Sequence, residues 1–314
     1  MRIALAGGGQ LALKILEGAL EAGHEIVALV QDGRQTKGYK QWLNPLLARL
    51  ALGNRTVMGL ARMKDIPFIY IDKMTEAELA PLKDLQPDLL IVGGFSIILK
   101  KPILELPKIG CVNCHTALLP KHRGPHPCAW VLLQNEAETG ITFHTMDEGI
   151  DTGDILAQEA IAITPRDTSG SLHMRLSELA GAMTKDLLLQ IQENGLKGTP
   201  QSPEDASYEP KIKGQLQFLD WTDTAENLER KVRACFPYYI ARFRDGARTV
   251  LVTRSRADAA PRSEAPGTVV SAHPRIKVAT GQGTLELTIV YTTKPVPWMW
   301  PGVFKRVPVG YKLQ

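Results

Sequence analysis

The sequence predicts an α/β protein with a Rossmann-like, doubly wound, mostly parallel sheet and a second, smaller β-rich domain with an OB-like barrel. Three observations lead to this prediction. Apolar strand candidates alternate with amphipathic helix candidates at first, a polar segment rich in Pro and Ser follows, and short strand candidates with glycine turns come last. We therefore expect a first domain over 1–200, a linker over 201–211 and a C-terminal domain over 212–314.

The first domain begins with a β–α–β pattern. RIALAGGG is typical of a buried strand, QLALKILEGALEAG of an amphipathic helix closed by Gly23, and HEIVALVQD of the next strand. Two further strand candidates are IPFIYID near 66–72 and PDLLIVGGF near 87–95, with the helix candidate TEAELAPLKDL between them. The segment 41–66, rich in Leu and Ala, predicts additional helix. Strands alternating with helices favour a parallel sheet.

The C-terminal domain combines one helix candidate with several strand candidates. TAENLERKVRAC at 224–235 predicts the helix, and RTVLVTR, PGTVVSA and PRIKVATGQGTLELTIVY predict strands. Residues 206–314 hold 17 basic and 9 acidic residues, a net charge of +8, whereas the whole chain carries only +4. A basic half of this kind indicates a polyanionic partner.

The bulk composition is that of an ordinary soluble globular protein. Of the 314 residues, 44% are hydrophobic and 22% are charged. The start MRIALAGGGQ has a short apolar run that breaks at glycine, which is typical of a first strand rather than of a signal peptide. No apolar run approaches the roughly 20 residues that span a bilayer. We expect a cytoplasmic protein that does not associate with membranes.

The stretch CVNCH at 111–115 has the C-x-x-C-H spacing of c-type haem attachment. The expected cytoplasmic location speaks against haem, and the remaining Cys128 and Cys235 do not form the second C-x-x-C of a structural zinc site. We expect Cys111 and Cys114 to be small apolar core residues, and we expect neither haem nor metal.

Glycines after the first strand allow two interpretations. Gly7-x-Gly9-x-x-Ala12 fits a loose dinucleotide fingerprint, and Asp32 ends the second strand candidate about 20 residues later. An NAD-binding oxidoreductase would use both features. A tight strand-to-helix turn also requires small residues, whatever binds there. We favour the tight turn and keep the oxidoreductase as an outside alternative.

Polar residues at a strand end suggest a different chemistry. Asn113 and His115 end a strand candidate, and DEGIDTGDIL follows at 147–156. Open α/β sheets place their ligands at strand ends, so we expect an amide, an imidazole and a carboxylate to converge there. This set suits transfer of an acyl group to an amine, because donors stabilise the oxyanion and a base removes the amine proton. The absence of a G-x-S-x-G motif favours direct transfer.

The run NCHTALLPKHRGPHPCAWVLLQNEAETGITFHTMDEGIDTGDIL resembles the signature of the folate-dependent formyltransferases. Their pattern is N-x-H, S-L-L-P-x-x-R-G, T-G-x-T and D-x-G-x-D-x-G, and the resemblance covers about two thirds of the chain. FLDWTDTAENLERKVRACFPYY resembles the C-terminal domain of the longer members. The matching residues are Asn113, His115, Leu118–Pro120, Arg123, Gly124, Thr139, Gly140, Thr142, Asp147, Gly149, Asp151 and Gly153.

The resemblance implies roles for these residues. Asn113 and His115 would hold the formyl oxygen and its developing charge, while Asp151 would orient or charge His115 and help to deprotonate the amine. The donor would be the reduced folate 10-formyltetrahydrofolate. Ala117 replaces the usual serine of the motif, which removes a hydroxyl near the donor. The implied folate-pocket residues are Ile97, Ile98, Leu99, Ala117, Leu118, Leu119, Pro120, Asp147, Gly149 and Ile150.

The acceptor amine is the least determined part of the sequence-based prediction. The long form with a basic second domain resembles the family members that act on methionyl-tRNA, which place a basic loop after the second strand. Arg34, Lys37 and Lys40 occupy that position here, and basic side chains provide affinity for phosphates. The alternative acceptor is an aminosugar nucleotide, because the segment 41–66 is longer than such a loop requires.

Overall fold

The structure is a computed structural model that describes residues 1–34, 36, 38, 40–246, 248–272, 274–292 and 308–313. Its internal contacts divide the chain into two compact units. The first consists of Met1–Gly124, Glu138–Ala162 and His173–Glu209, and the second of Pro125–Ala137, Ile163–Leu172 and Pro210–Gln314. The expected domain boundaries near 200 and 211 stay a prediction.

The first unit is built on a seven-stranded sheet in the order β3-β2-β1-β4-β5-β6-β7. The first five strands of this order are parallel, and β6 and β7 are antiparallel to their neighbours. The strands are β1 Arg2–Gly7, β2 Glu25–Asp32, β3 Phe68–Ile71, β4 Leu89–Gly93, β5 Gly110–His115, β6 Glu138–Thr145 and β7 Ile155–Ala162. This order confirms the predicted Rossmann-like, mostly parallel sheet.

Helices connect the strands at the predicted places. Thr75 begins α4 with a capping box, in which its side chain accepts a hydrogen bond from the Glu78 backbone N–H and Glu78 binds back to the cap. The segment 41–66 contributes two helices. The helices are α1 Gly9–Glu21, α2 Lys40–Leu52, α3 Val57–Met63, α4 Glu76–Asp84, α5 Lys101–Leu104, α6 Pro127–Leu133, α7 Ser169–Asn194 and α8 Ala225–Cys235.

Close packing in the turn from β1 into α1 explains why residue 7 is a glycine. Its φ is +148°, and a Cβ atom there would lie 1.9 Å from the carbonyl oxygen of Gly93 in the neighbouring β4. Only glycine permits this approach. The tight turn therefore requires Gly7 whether or not a nucleotide binds. Since the chain reverses its strand order between β1 and β4, a ligand crevice is expected at the carboxyl ends of these strands.

The second unit carries an antiparallel five-stranded sheet in the order β10-β11-β12-β9-β8. Leu228 and Val232 of α8 belong to the same buried apolar cluster as Val250 and Leu285 of the sheet. The strands are β8 Ala241–Asp245, β9 Arg248–Asp258, β10 Val269–Ser271, β11 Ile276–Ala279 and β12 Thr284–Thr292. A separate β-rich domain after the Rossmann-like domain is thus confirmed.

Two further expectations concern single segments. Cys111 and Cys114 are buried in the core, and burial raises the pKa of the Cys111 thiol to about 12. Both are thus core residues, as predicted.

Within the described part of the chain, no helix combines the length and apolarity needed to cross a bilayer. The Pro- and Trp-rich stretch 293–307 lies outside the described residues.

Candidate active site

Strand β5 carries two of the predicted site residues. Asn113 and His115 are two positions apart, so their side chains point to the same face of the sheet, while Cys114 between them points to the other. His115 is buried and Asn113 is partly buried. β5 lies between β4 and β6, and Asn113 pairs in register with His144 of β6. The strand period therefore places an amide and an imidazole side by side.

Asp151 joins them from the turn between β6 and β7. Its backbone has φ +54°, a left-handed conformation that few non-glycine residues adopt. Asn113 Nδ2 donates to Asp151 Oδ1 at 3.2 Å, and His115 Nδ1 lies 3.6 Å from Asp151 Oδ2. Asp151 Oδ2 also accepts a hydrogen bond of 2.8 Å from the Gly124 N–H. The structure brings the three predicted catalytic residues into one cluster.

A fourth side chain, His144, completes the cluster. Its Nδ1–H donates to the Thr145 carbonyl at 2.7 Å, which leaves Nε2 as an acceptor. Asn113 Nδ2 lies 3.1 Å from this Nε2, and Asp151 Oδ1 lies 3.5 Å from it. A histidine outside the recognised motif residues is ordinarily a loop or surface group, but the His144 side chain is buried on β6. Its position seven residues before Asp151, inside the T-G-x-T strand, was the available signal.

The carboxylate of Asp151 is held in its ionised form. Burial alone would raise its pKa, but the charge that His115 carries when it is protonated, together with the hydrogen bond from the Gly124 N–H, outweighs burial. Together they lower the pKa of Asp151 well below its usual range. An ionised carboxylate only accepts hydrogen bonds, which fixes the Asn113 amide with its NH₂ group towards Asp151 and His144.

His115 has a defined tautomer. Its Nε2 lies 2.9 Å from the carbonyl oxygen of His122, so Nε2 carries the proton and donates it to that bond. The Nδ1 lone pair then faces the Asp151 carboxylate. Burial lowers the pKa of His115, while Asp151 opposes that shift. The pair therefore offers a neutral base beside an anion, which is an arrangement that takes up a single proton.

His122 belongs to the loop that supports this pair. Although His122 lies in a loop, it is only 5% exposed. Its Nδ1 lies 3.9 Å from the Glu209 carboxylate, and its backbone has φ +59°. His122 thus contributes its carbonyl to the site, and Gly124 contributes its N–H. A motif can identify the R-G pair of this loop but not these backbone contacts.

The predicted folate-pocket residues Ile97–Leu99 follow β4. Leu99 is buried in the core cluster under the sheet, and Ile97 packs against that cluster together with Phe95 and Met146. Ile98 is 66% exposed, which is unusual for so large an apolar side chain. The segment therefore has an apolar wall and one apolar residue exposed to solvent.

The second predicted pocket segment, 117–120, is anchored to β6. Thr142 Oγ1 donates to the Ala117 carbonyl at 2.7 Å and accepts from the Leu119 N–H at 3.2 Å. Ala117 and Leu119 are buried, while Leu118 and Pro120 are partly exposed. The buried Thr142 hydroxyl thus holds the loop at both ends.

The third predicted pocket segment is the turn that carries Asp147, Gly149 and Ile150. Asp147 Oδ1 accepts from the Gly149 N–H at 2.8 Å and from Thr152 Oγ1 at 2.7 Å. A Cβ atom at Gly149 would lie 2.1 Å from that Thr152 oxygen. Ile150 is 39% exposed. The D-x-G pattern therefore closes the turn that presents Asp151.

Of the three predicted acceptor-binding residues, the structure describes Arg34 and Lys40. Arg34 pairs with Asp32 through a contact of 2.6 Å and donates to the Ser96 carbonyl at 3.0 Å. Ser96 Oγ donates to the same Asp32 carboxylate, and the Arg34 guanidinium holds the pKa of Asp32 well below its usual range. Lys40 is exposed at the start of α2, and Lys37 lies outside the described residues. Arg34 thus fastens the end of β2 to the segment before Ile97.

No group of three or more His, Cys, Asp or Glu side chains that could hold a metal ion occurs among the residues the structure describes. The His115–His144–Asp151 cluster is linked by direct hydrogen bonds and ion-pair contacts through Asn113 and Asp151.

Two family models match the sequence. One, described as formyl transferase, matches residues 1–187, and the other, the formyl transferase C-terminal domain, matches residues 211–297. The chain belongs to the formyltransferase family. It is therefore an enzyme of formyl transfer, as the resemblance predicts.

Relatives of this formyltransferase cover nearly its whole length. A methionyl-tRNA formyltransferase of Parvibaculum lavamentivorans is 33% identical over 291 residues, which is 92% of this chain and 91% of the relative. A methionyl-tRNA formyltransferase of Pseudomonas syringae pv. tomato is 35% identical over 295 residues, with coverage of 92% and 89%.

Solved structures share the fold at lower identity. The N-formyltransferase of Helicobacter canadensis, crystallised with folinic acid and dTDP-3-aminofucose, superposes with a TM-score of 0.67 at 19% identity, covering 93% of this chain and 100% of that one. Methionyl-tRNA formyltransferase from Clostridium thermocellum gives a TM-score of 0.55 at 17% identity, with coverage of 83% and 95%. At these identities the likeness concerns the fold.

Proposed function

We propose that this formyltransferase moves the formyl group of 10-formyltetrahydrofolate to the α-amine of methionyl-tRNA. The observation that carries the proposal is the convergence of Asn113, His115 and Asp151 on one side of β5, in a chain whose full-length relatives are methionyl-tRNA formyltransferases. An amide donor, a neutral imidazole and an ionised carboxylate are the groups that acyl transfer to an amine requires.

The reaction exchanges one C–N bond for another. The acceptor nitrogen attacks the formyl carbon, the carbonyl oxygen takes up negative charge, and the bond to N10 of the folate breaks as that nitrogen gains a proton. Asn113 stabilises the oxygen by donating an N–H, for which it exchanges its contact with Asp151 or His144. The His115–Asp151 pair takes the proton that the amine releases. A proton taken by His115 at Nδ1 faces the Asp151 carboxylate, which stabilises it.

Exposed apolar residues in the predicted pocket segments support a folate as the donor. Ile98 and Ile150 present large apolar side chains to solvent, next to segments that carry the predicted pocket. A pterin ring is flat and apolar on its faces and has hydrogen-bonding edges, so apolar side chains and backbone groups suit it. The Helicobacter canadensis structure with folinic acid supports a folate at this fold.

The acceptor is assigned from the relatives and from charge. Eight relatives at 32–35% identity are methionyl-tRNA formyltransferases. The net charge of +8 over residues 206–314 suits a phosphate backbone. Both observations favour a tRNA acceptor.

An aminosugar nucleotide is the second candidate acceptor. The observation in its favour is that the Arg34 guanidinium is already bound to Asp32 and to the Ser96 carbonyl. A basic residue in those contacts is less available to tRNA phosphates, and the segment that follows forms α2 and α3. A smaller acceptor requires no basic loop there.

Acceptor competition tests the proposal. Purified enzyme and 10-formyltetrahydrofolate are offered charged initiator methionyl-tRNA and a panel of aminosugar nucleotides, with Asn113→Ala as the inactive control. We expect formylmethionyl-tRNA as the main product. Product on an aminosugar nucleotide alone would contradict methionyl-tRNA as the acceptor.

A further inference from the structure

The segment 199–209, here called the strap, lies against the loop that supports the catalytic cluster. It was expected to belong largely to a linker, yet it begins with a two-way backbone pair between Thr199 and Ile155 of β7, with both hydrogen bonds at 2.8 Å. It ends at Glu209, whose side chain is nearly buried. Both segments belong to the first unit.

Backbone contacts join the strap to residues 122–124. The Arg123 N–H donates to the Ser207 carbonyl at 2.9 Å, and the Glu209 N–H donates to the Arg123 carbonyl at 2.8 Å. At Gly124 a Cβ atom would lie 2.4 Å from the Glu209 carbonyl oxygen, so this glycine permits the close approach. The strap therefore pairs with the loop much as an extra strand would.

Two side chains of the strap add specific contacts. Ser207 Oγ accepts from the His122 N–H at 2.8 Å. Gln201 Nε2 donates to the Asp151 carbonyl at 2.9 Å and to the Gly153 carbonyl at 2.7 Å, while its Oε1 accepts from Arg123 at 2.8 Å. One amide thus bridges the loop and the turn that holds Asp151.

These contacts lead directly to the reacting groups. The loop supplies the His122 carbonyl to His115 Nε2 and the Gly124 N–H to Asp151 Oδ2. A shift of the loop would change the tautomer of His115 and the orientation of the Asp151 carboxylate together. Since His122 and Asp151 both have positive φ, their conformations depend on surrounding hydrogen bonds.

We propose that Gln201 and Ser207 are positioning residues for formyl transfer. Through the loop 122–124 they fix the geometry between His115 and Asp151 without touching either substrate. This inference rests on the proposed function, because it assigns the two residues to the reaction that the cluster performs.

The test compares Gln201→Met and Ser207→Ala with wild-type enzyme. We expect kcat to fall by about 10- to 100-fold in both variants, since small misplacements of reacting groups are costly, while KM for either substrate changes less than about twofold. Ser207→Thr retains a hydroxyl and should restore most of the rate. Ser202→Ala is the matched control, because the Ser202 hydroxyl is exposed and makes no capping hydrogen bond.

A second measurement tests the role of the strap without depending on which acceptor the enzyme uses. Nitrogen-15 NMR of the His115 ring should show the Nε2–H tautomer in wild-type enzyme and a mixture of tautomers in Ser207→Ala. An unchanged ring spectrum and an unchanged kcat in folded variants would overturn the positioning role. Lack of formyl transfer by the wild-type enzyme to every acceptor would instead overturn the proposed function, and the NMR comparison would still test the strap.

Discussion

His115 and Asp151 have different charge states in the site: the imidazole is neutral and the carboxylate is ionised. Burial keeps His115 neutral, and its hydrogen bond to the His122 carbonyl sets the tautomer. Burial raises the pKa of Asp151, but hydrogen bonds from the Gly124 N–H and Asn113 Nδ2 keep the carboxylate ionised beside the neutral ring. A neutral base and a fixed anion are thus present in the same cluster.

The lowered pKa of His115 predicts a pH dependence of stability. The unfolded imidazole titrates near 6.5, so below that pH the unfolded chain binds a proton that folded His115 does not, and stability is lost as the pH falls. The depressed pKa of Asp151 acts in the same direction only below about pH 4. Between pH 7.5 and 5.5, His115→Gln should therefore lose less stability than wild-type protein in urea unfolding. Equal losses in both proteins would contradict this assignment.

Substitutions at His144 test its contact with Asn113. His144→Phe fills the same space but removes the acceptor for Asn113, so we expect kcat to fall by about tenfold, the cost of roughly one hydrogen bond. His144→Gln, whose amide can contact both Asn113 and Asp151, should retain more activity. A rate for His144→Phe equal to that of wild-type enzyme, measured at saturating substrates, would show that the contact with Asn113 is dispensable.

At the scale of elements, periodicity predicted what lies within one strand or helix. The alternation along β5 placed Asn113 and His115 on one face, and TEAELAPLKDL indicated the helix that is observed as α4. Contacts between distant segments were not predictable from local pattern. The pairing of Asn113 with His144 depends on the antiparallel register of β5 and β6, and the strap depends on a backbone pairing of Arg123 with Ser207 and Glu209.

The close approach of Gly7 in β1 to Gly93 in the neighbouring β4 yields a stability prediction. Gly7→Ala would place a Cβ atom against the Gly93 carbonyl in a backbone conformation that alanine disfavours. We expect a loss of about 2–4 kcal/mol in the free energy of unfolding. Gly8→Ala is the control, because a Cβ there meets nothing within 4 Å, and it should cost less than about 1 kcal/mol. Similar costs at both positions would contradict the packing explanation.

For the whole molecule, charge distinguishes the two candidate acceptors. Residues 206–314 carry +8, and neutralised phosphates release counterions, so binding of tRNA should weaken steeply with salt. We expect KM for methionyl-tRNA to rise at least about tenfold between 50 and 200 mM salt, which corresponds to roughly two phosphate contacts. KM for 10-formyltetrahydrofolate serves as the internal control and should change much less. A flat KM for tRNA would favour a small acceptor.

The most direct test of the proposed catalytic cluster is the single-turnover rate of formyl transfer by Asp151→Asn. This change keeps the size of the side chain but removes the charge that faces His115 and Asn113. Asp154→Asn, which alters a carboxylate outside the cluster in the same turn, is the control and should react like wild-type enzyme. We expect Asp151→Asn, still folded, to lose at least about 100-fold in rate. A rate close to that of wild-type enzyme would contradict it.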